Sequence, residues 1–145
     1  MVYRGPEILI VGKVKIKDAP SGSKDIPIQW LLPGGGILDC DRSEIDVIKR
    51  ELHEETGSTS FRIVQELDDK ICFQFPPEIR ESSGFLGQET IIFLVEYIGI
   101  GDDLIPIDDE IDRVEFVTKE NLFERIFVKE MREYLEERLS NLIQA

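Results

Sequence analysis

The sequence predicts an α+β fold, and three observations predict it. Runs rich in β-branched residues recur along the chain and read as strands. A capped helical segment lies among them, from Ser43 toward Gly57, and a second apolar stripe at helical spacing follows the last strand. With 145 residues, 41% of them hydrophobic, the length suits one domain over 1–145 with a single buried core. No internal repeat or low-complexity segment interrupts it.

Taken in order, Tyr3-Arg4-Gly5-Pro6 is a short start made of turn residues. Glu7 to Lys17 alternates and reads as a strand; its first half is continuously apolar, which predicts burial on both faces, and Lys13, Lys15 and Lys17 then share one side. Asp18 to Pro27 is a loop by composition, and Ile28 to Leu32 is a short strand stopped by Pro33. Trp30 reads as core or pocket wall. Beyond the central helix, Phe61 to Glu66 and Lys70 to Phe75 read as two strands joined by a turn at Leu67-Asp68-Asp69. Pro76-Pro77 opens a long loop, a common place for binding residues. Glu89 to Ile98 is the most strand-like segment and is expected at the centre of the sheet. An acidic loop, Gly99 to Asp112, leads to a short strand at Val114 to Val117. Thr118 or Asn121 can cap a helix. From Ile126 onward Val128, Met131, Leu135, Leu139 and Leu142 form a packing stripe.

Asp and Glu number 30 against 17 Lys and Arg, a formal charge of −13. Such a surface repels nucleic-acid backbones, so extended nucleic-acid binding is not expected. Cys40 and Cys72 are too few for a disulfide framework or a closed zinc site and read as buried thiols. No signal-like or membrane-length apolar run is present, which predicts a cytoplasmic protein without membrane attachment.

The chemistry concentrates between Pro33 and Gly57. Ser43 fits an N-cap. At about 100° per residue, Ile45, Ile48 and Leu52 fall on the side facing the sheet, and Glu51, Glu54 and Glu55 on an adjoining face. Carboxylates gathered at a helix C-terminus repel one another and oppose the helix dipole. Arg50, the nearby helix cation, is expected to pair with one glutamate at most. A divalent ion would neutralise the cluster. Oxygen donors, with His53 on the far side, select Mg²⁺, with Mn²⁺ as a substitute. Three glutamates alone would suit a solvated acidic face. Gly34-Gly35-Gly36 ahead of them lets backbone approach a ligand closely and turns the balance.

This segment resembles the Nudix box, G-x5-E-x7-R-E-U-x-E-E-x-G-U, with U a bulky aliphatic residue. Gly36 matches the first glycine, and Arg50-Glu51-Leu52, Glu54-Glu55 and Gly57 match the second half without gaps. Arg42 stands where the first Glu belongs, with Asp41 and Glu44 nearby as substitutes, and Ser58 stands at the final aliphatic position. The stretch Phe73 to Gly99 is similar to the diadenosine-tetraphosphate hydrolase and RNA 5′-pyrophosphohydrolase branch, although Thr90 and Ile92 replace its second Gln and Trp. The resemblance implies a mixed sheet sandwiched between helices (α/β/α) and hydrolysis of a nucleoside diphosphate linked to another group. It implies metal ligation by Glu51, Glu54 and Glu55 with a Gly35 or Gly36 carbonyl. Glu110, with Glu54 as the alternative, would be general base, and Arg50 would orient a ligand glutamate. Lys13, Lys15 and Arg80 are candidate phosphate contacts; Phe73, Phe75 and Phe116 are candidate adenine-stacking surfaces. Diadenosine tetraphosphate is the expected substrate. Nucleotide or sugar-nucleotide pyrophosphates, an RNA 5′ end, or nucleotide sensing without cleavage are the alternatives. A homodimer is compatible with this reading.

Overall fold

The computed structural model describes residues 1–19, 22–34, 42–74, 77, 81 and 87–142, with the backbone alone at 17–19, 68–74, 87–89 and 140–142. Gly35, Gly36, Cys40, Asp41, Phe75, Pro76, Arg80 and the side chains of Cys72 and Phe73 lie outside the described residues.

Strand β2 (Glu7–Ala19) is where the sheet branches. It pairs antiparallel with β1 (Val2–Arg4) and β3 (Gly22–Leu31), and with β6 (Ile111–Val117) along its opposite edge. Beyond β1, the sheet continues through a parallel pairing to β5 (Gly87–Tyr97) and an antiparallel pairing to β4 (Phe61–Gln74). The apolar runs of β2 and β5 are explained by burial on both faces. Ile8, Ile10, Ile92 and Leu94 join a core with Leu122, Ile126, Leu135 and Leu139, under helices α2 (Lys119–Arg125) and α3 (Lys129–Leu142). Leu9, Val11, Phe93, Val95 and Tyr97 face the other way and pack with Leu52 of α1 (Glu44–Thr56). A mixed sheet thus lies between helices, with β5 internal, as the sequence suggests.

Three segments differ from the sequence reading. The region from Asp18 to Pro27 is mostly strand: β2 runs on to Ala19 and β3 starts at Gly22, with Lys15 opposite Asp25 and Ile16 opposite Lys24. Pro27 is tolerated because it falls in the register shift between the Lys13–Gln29 and Lys15–Asp25 pairs, where no ladder donor is required. Likewise, Leu67-Asp68-Asp69 is a bulge inside one continuous β4, because the register against β5 shifts between Glu66 and Lys70. Leu67 turns into the core at that irregularity. The start of the chain is also a strand: Val2 and Tyr3 sit opposite Val95 and Glu96, and the turn back to β2 uses Gly5 at φ 56°. Three residues are too few to show a period.

Helix α1 begins at Ser43, whose hydroxyl accepts from the Asp46 amide, and ends at Gly57 with φ 82° and its N–H donating to the His53 carbonyl. Its sheet-facing side is Val47, Ile48, Leu52 and Thr56. Ile45 does not join them: it lies in the first turn, ahead of the turns the sheet covers, and is 43% exposed. At the far end Thr118 caps α2, Ile126 bridges to Trp30, and the Phe127 amide donates to the Trp30 carbonyl. Trp30 packs against the core on that side, with the Arg125 guanidinium over its ring.

A polar knot fastens the segment after α1 to the turn after β5. Asp103 accepts from the hydroxyls of Ser58, Ser60 and Tyr97, while the Gly101 amide donates to the Tyr97 oxygen. Ser58 is 1% exposed, so the serine at the final aliphatic position of the box is a buried hydrogen-bonding residue. These bonds hold the Asp103 carboxyl below its usual range, Ser58 contributing most. Asp103→Ala strands three donors and should cost about 1–3 kcal/mol of stability, read as a lower urea midpoint. An unchanged midpoint would show that the knot is dispensable.

Candidate active site

The second half of α1 carries Arg50, Glu51, Glu54 and Glu55 along the edge of the face that buries Leu52 and Thr56. Helix periodicity places Glu51 and Glu55 one turn apart, beside the sheet-facing row. The Gly34 amide donates to Glu55 Oε2 at 2.8 Å, which ties the turn after β3 to the helix. Arg50 Nη1 stands 2.7 Å from Glu51 Oε1 and 3.4 Å from Glu54 Oε2. Arg50 therefore bridges two glutamates, not one, because its Nη1 alone sits within reach of both the adjacent residue and the one a turn on.

A loop closes over the end of α1. The amides of Ile107 and Asp108 both donate to the Glu54 carbonyl, at 2.9 and 2.8 Å, satisfying an acceptor that the helix end leaves free. Asp108 then accepts the Glu110 amide on Oδ1 and the Ile111 amide on its carbonyl, and the Val14 amide donates to the Glu110 carbonyl. These bonds bring Asp108, Asp109 and Glu110 to β2. Lys13 Nζ lies 3.7 Å from Glu110 Oε2, and Lys15 Nζ 3.9 Å from Asp109 Oδ2. Alternation along β2 carries the core row of Leu9 and Val11 into Lys13 and Lys15, so the sheet face turns cationic beside the glutamates.

The field at this place is unfavourable for negative charge. Burial pushes the Glu55 carboxyl up to about 8; the Gly34 amide opposes the shift, the charges of Glu51 and Asp108 add to it, and Lys13 opposes it. Burial also raises Glu51, against the pull of Arg50 and with the charges of Glu54 and Asp108 adding. Asp108 is thus a member of the cluster that the sequence reading missed. The acidic run Asp108-Asp109-Glu110 was the available signal, but only the docking of the loop on Glu54 brings the charge of Asp108 to bear on Glu51 and Glu55. Among the described residues no three acidic, histidine or cysteine side chains are close enough to enclose an ion. The donor set nonetheless fits a hard divalent cation: all-oxygen groups, two of them desolvated and mutually repelling.

The remaining candidates are placed as follows. Phe116 is half-buried and packs against the core on the α1 side, its ring tilted against Tyr97 and covered by the Arg4 guanidinium 4.0 Å from its centroid. Arg42, at the position of the box's first Glu, is exposed, and its amide donates to Asp46. Glu44 is exposed in the first turn of α1. Among the described residues no helix is long and apolar enough to cross a membrane.

Residues 2–138 match the NUDIX domain family. The chain belongs to that family. This Nudix chain is 35% identical over 98 residues to Nudix hydrolase 26, chloroplastic, of Arabidopsis thaliana, a match covering 63% of this chain and 45% of the relative. It is 32% identical over 99 residues to the RNA pyrophosphohydrolase of Acidiphilium cryptum, covering 67% of this chain and 59% of the relative. The Nudix chain thus spans about half the length of these curated relatives. Among solved structures, a C. elegans Ap4A hydrolase binary complex shares the fold, with TM-score 0.67 over 97% of this chain and 92% of that one, at 17% identity.

Proposed function

We propose that this Nudix chain is a divalent-metal-dependent pyrophosphohydrolase that cleaves a nucleoside diphosphate linkage, with diadenosine tetraphosphate, split to ATP and AMP, as the first substrate. The observation carrying this reading is the pair of desolvated carboxylates, Glu51 and Glu55, held beside Glu54 and Asp108 at the end of α1. Glu51, Glu54 and Glu55, with a Gly35 or Gly36 carbonyl, would hold Mg²⁺ or Mn²⁺. When bound, the ion would neutralise charge on the phosphates being cleaved. Arg50 fixes the side chains of Glu51 and Glu54. Glu110 takes the proton of the attacking water as its oxygen bonds to phosphorus and the bridging P–O bond breaks; Glu54 is the alternative base. Lys15 and Arg80 serve the phosphates, and Phe73 and Phe75 serve the base. The name of the C. elegans neighbour supports the choice of substrate, as does a charge of −13 that disfavours a long RNA. The name of the Acidiphilium cryptum relative favours a second reading, removal of pyrophosphate from an RNA 5′ end.

Incubation with Mg²⁺ or Mn²⁺ and a panel of dinucleoside polyphosphates, sugar nucleotides and 5′-triphosphorylated RNA, with products identified, tests both. ATP plus AMP supports the first reading and pyrophosphate from RNA the second. Binding without turnover would refute catalysis. Glu54→Gln and Glu110→Gln should each lower kcat by about 10²-fold or more. Full activity in Glu54→Gln would overturn its place among the ligands.

A further inference from the structure

We propose that Lys13 is a positioning residue for Glu110, holding that carboxylate over the site; the proposal rests on the reading of Glu110 as base. The contacts that fasten the 108–110 turn to β2 include the Val14 amide on the Glu110 carbonyl at 2.8 Å, Lys13 on Glu110 at 3.7 Å and Lys15 on Asp109 at 3.9 Å. They differ in setting. Asp109 is 65% exposed at its side chain, so its pair is screened by water, whereas Lys13 and Glu110 are 29% and 20% exposed. The register between β2 and β6 shifts between Gly12, opposite Arg113, and Lys13, opposite Ile111, so the extra residue is Asp112 and the irregularity lies where the turn joins β6. The charge of Lys13 also acts on Glu55, so one ammonium attracts both the carboxylate assigned to the metal and the one assigned to the water. A cation paired with a carboxylate limits the positions that carboxylate can take, which is what a base acting on a positioned water requires.

The test compares wild type, Lys13→Met, Lys13→Arg, Glu110→Gln and the double variant Lys13→Met/Glu110→Gln. Lys13→Met is expected to lower kcat roughly 10- to 100-fold, the size of effect that misplacing a reacting group produces. KM should stay within about twofold, as for a group that does not bind substrate. Lys13→Arg should restore most of the rate, and Lys13→Met should cost nothing further in the Glu110→Gln background. In the metal-free protein, Lys13→Met should shift the backbone amide signals of residues 108–111, and Lys24→Met, on exposed β3, should not. A raised KM with intact kcat would make Lys13 a phosphate contact and overturn the proposal. So would losses that multiply with Glu110→Gln, or unmoved amides at 108–111. Full turnover in Glu110→Gln would instead sink the base assignment, and the amide signals would still decide whether Lys13 positions that residue.

Discussion

Replacing Glu55 by Gln is expected to make the metal-free protein more stable at pH 8 while removing turnover. The Glu55 carboxyl is raised from 4.5 to about 8 by burial and by its neighbours Glu51 and Asp108. Between those values the folded chain holds a proton that the unfolded chain has released, so stability falls as pH rises through the window. The contribution is fully present below pH 4.5 and lost as pH passes about 8. Since one pKa unit is worth about 1.4 kcal/mol and water reaches part of the group, the penalty is on the order of 3 kcal/mol. Glutamine keeps the shape and the Gly34 contact without the charge. Urea titrations in EDTA at pH 5 and pH 8 should show wild type losing stability between the two pH values, with Glu55→Gln much flatter. Adding Mg²⁺ should raise wild type alone. Parallel pH profiles for the two proteins would refute the charge-penalty account.

Gly57→Ala should be the most damaging added methyl among the described glycines. A Cβ there would stand 1.9 Å from the Ile105 carbonyl oxygen, and φ is 82°, a region where alanine is strained. Together strain and overlap should cost about 2–5 kcal/mol, seen as a lower melting temperature. The effect on rate should exceed what unfolding explains. Ile105 is two and three residues from the amides of Ile107 and Asp108 that cap Glu54, so displacing it moves the turn bearing Asp108 and Glu110. An alanine variant with wild-type melting and kcat would contradict this packing.

What could be read from the sequence was whatever is local. The Ser43 and Gly57 caps depend on neighbours within a turn, and the buried faces of β2 and β5 on unbroken apolar runs. The glutamate cluster was legible because helix periodicity alone places Glu51 beside Glu55. What escaped depends on pairing. Asp18, Gly22 and Pro27 are turn formers by composition, yet a partner strand and a register shift accommodate them. Leu67-Asp68-Asp69 looks like a turn until β5 is seen to continue past it. Asp108 joins the site only because its loop docks on a carbonyl more than fifty residues earlier in the chain.

Because Leu52 and Thr56 alternate with Glu51 and Glu55 on α1, packing and chemistry share one rotational setting of the helix. A residue inserted between Ser43 and Leu52 would turn everything before it by about 100° relative to the sheet, or carry the glutamates off the sheet edge if the first turns kept their seat. The direction in which the helix presents its glutamates has no adjustment separate from its apolar face. Variation in this chain can therefore tune the loops around the site freely, but the angle at which its acids are presented is inherited from the core.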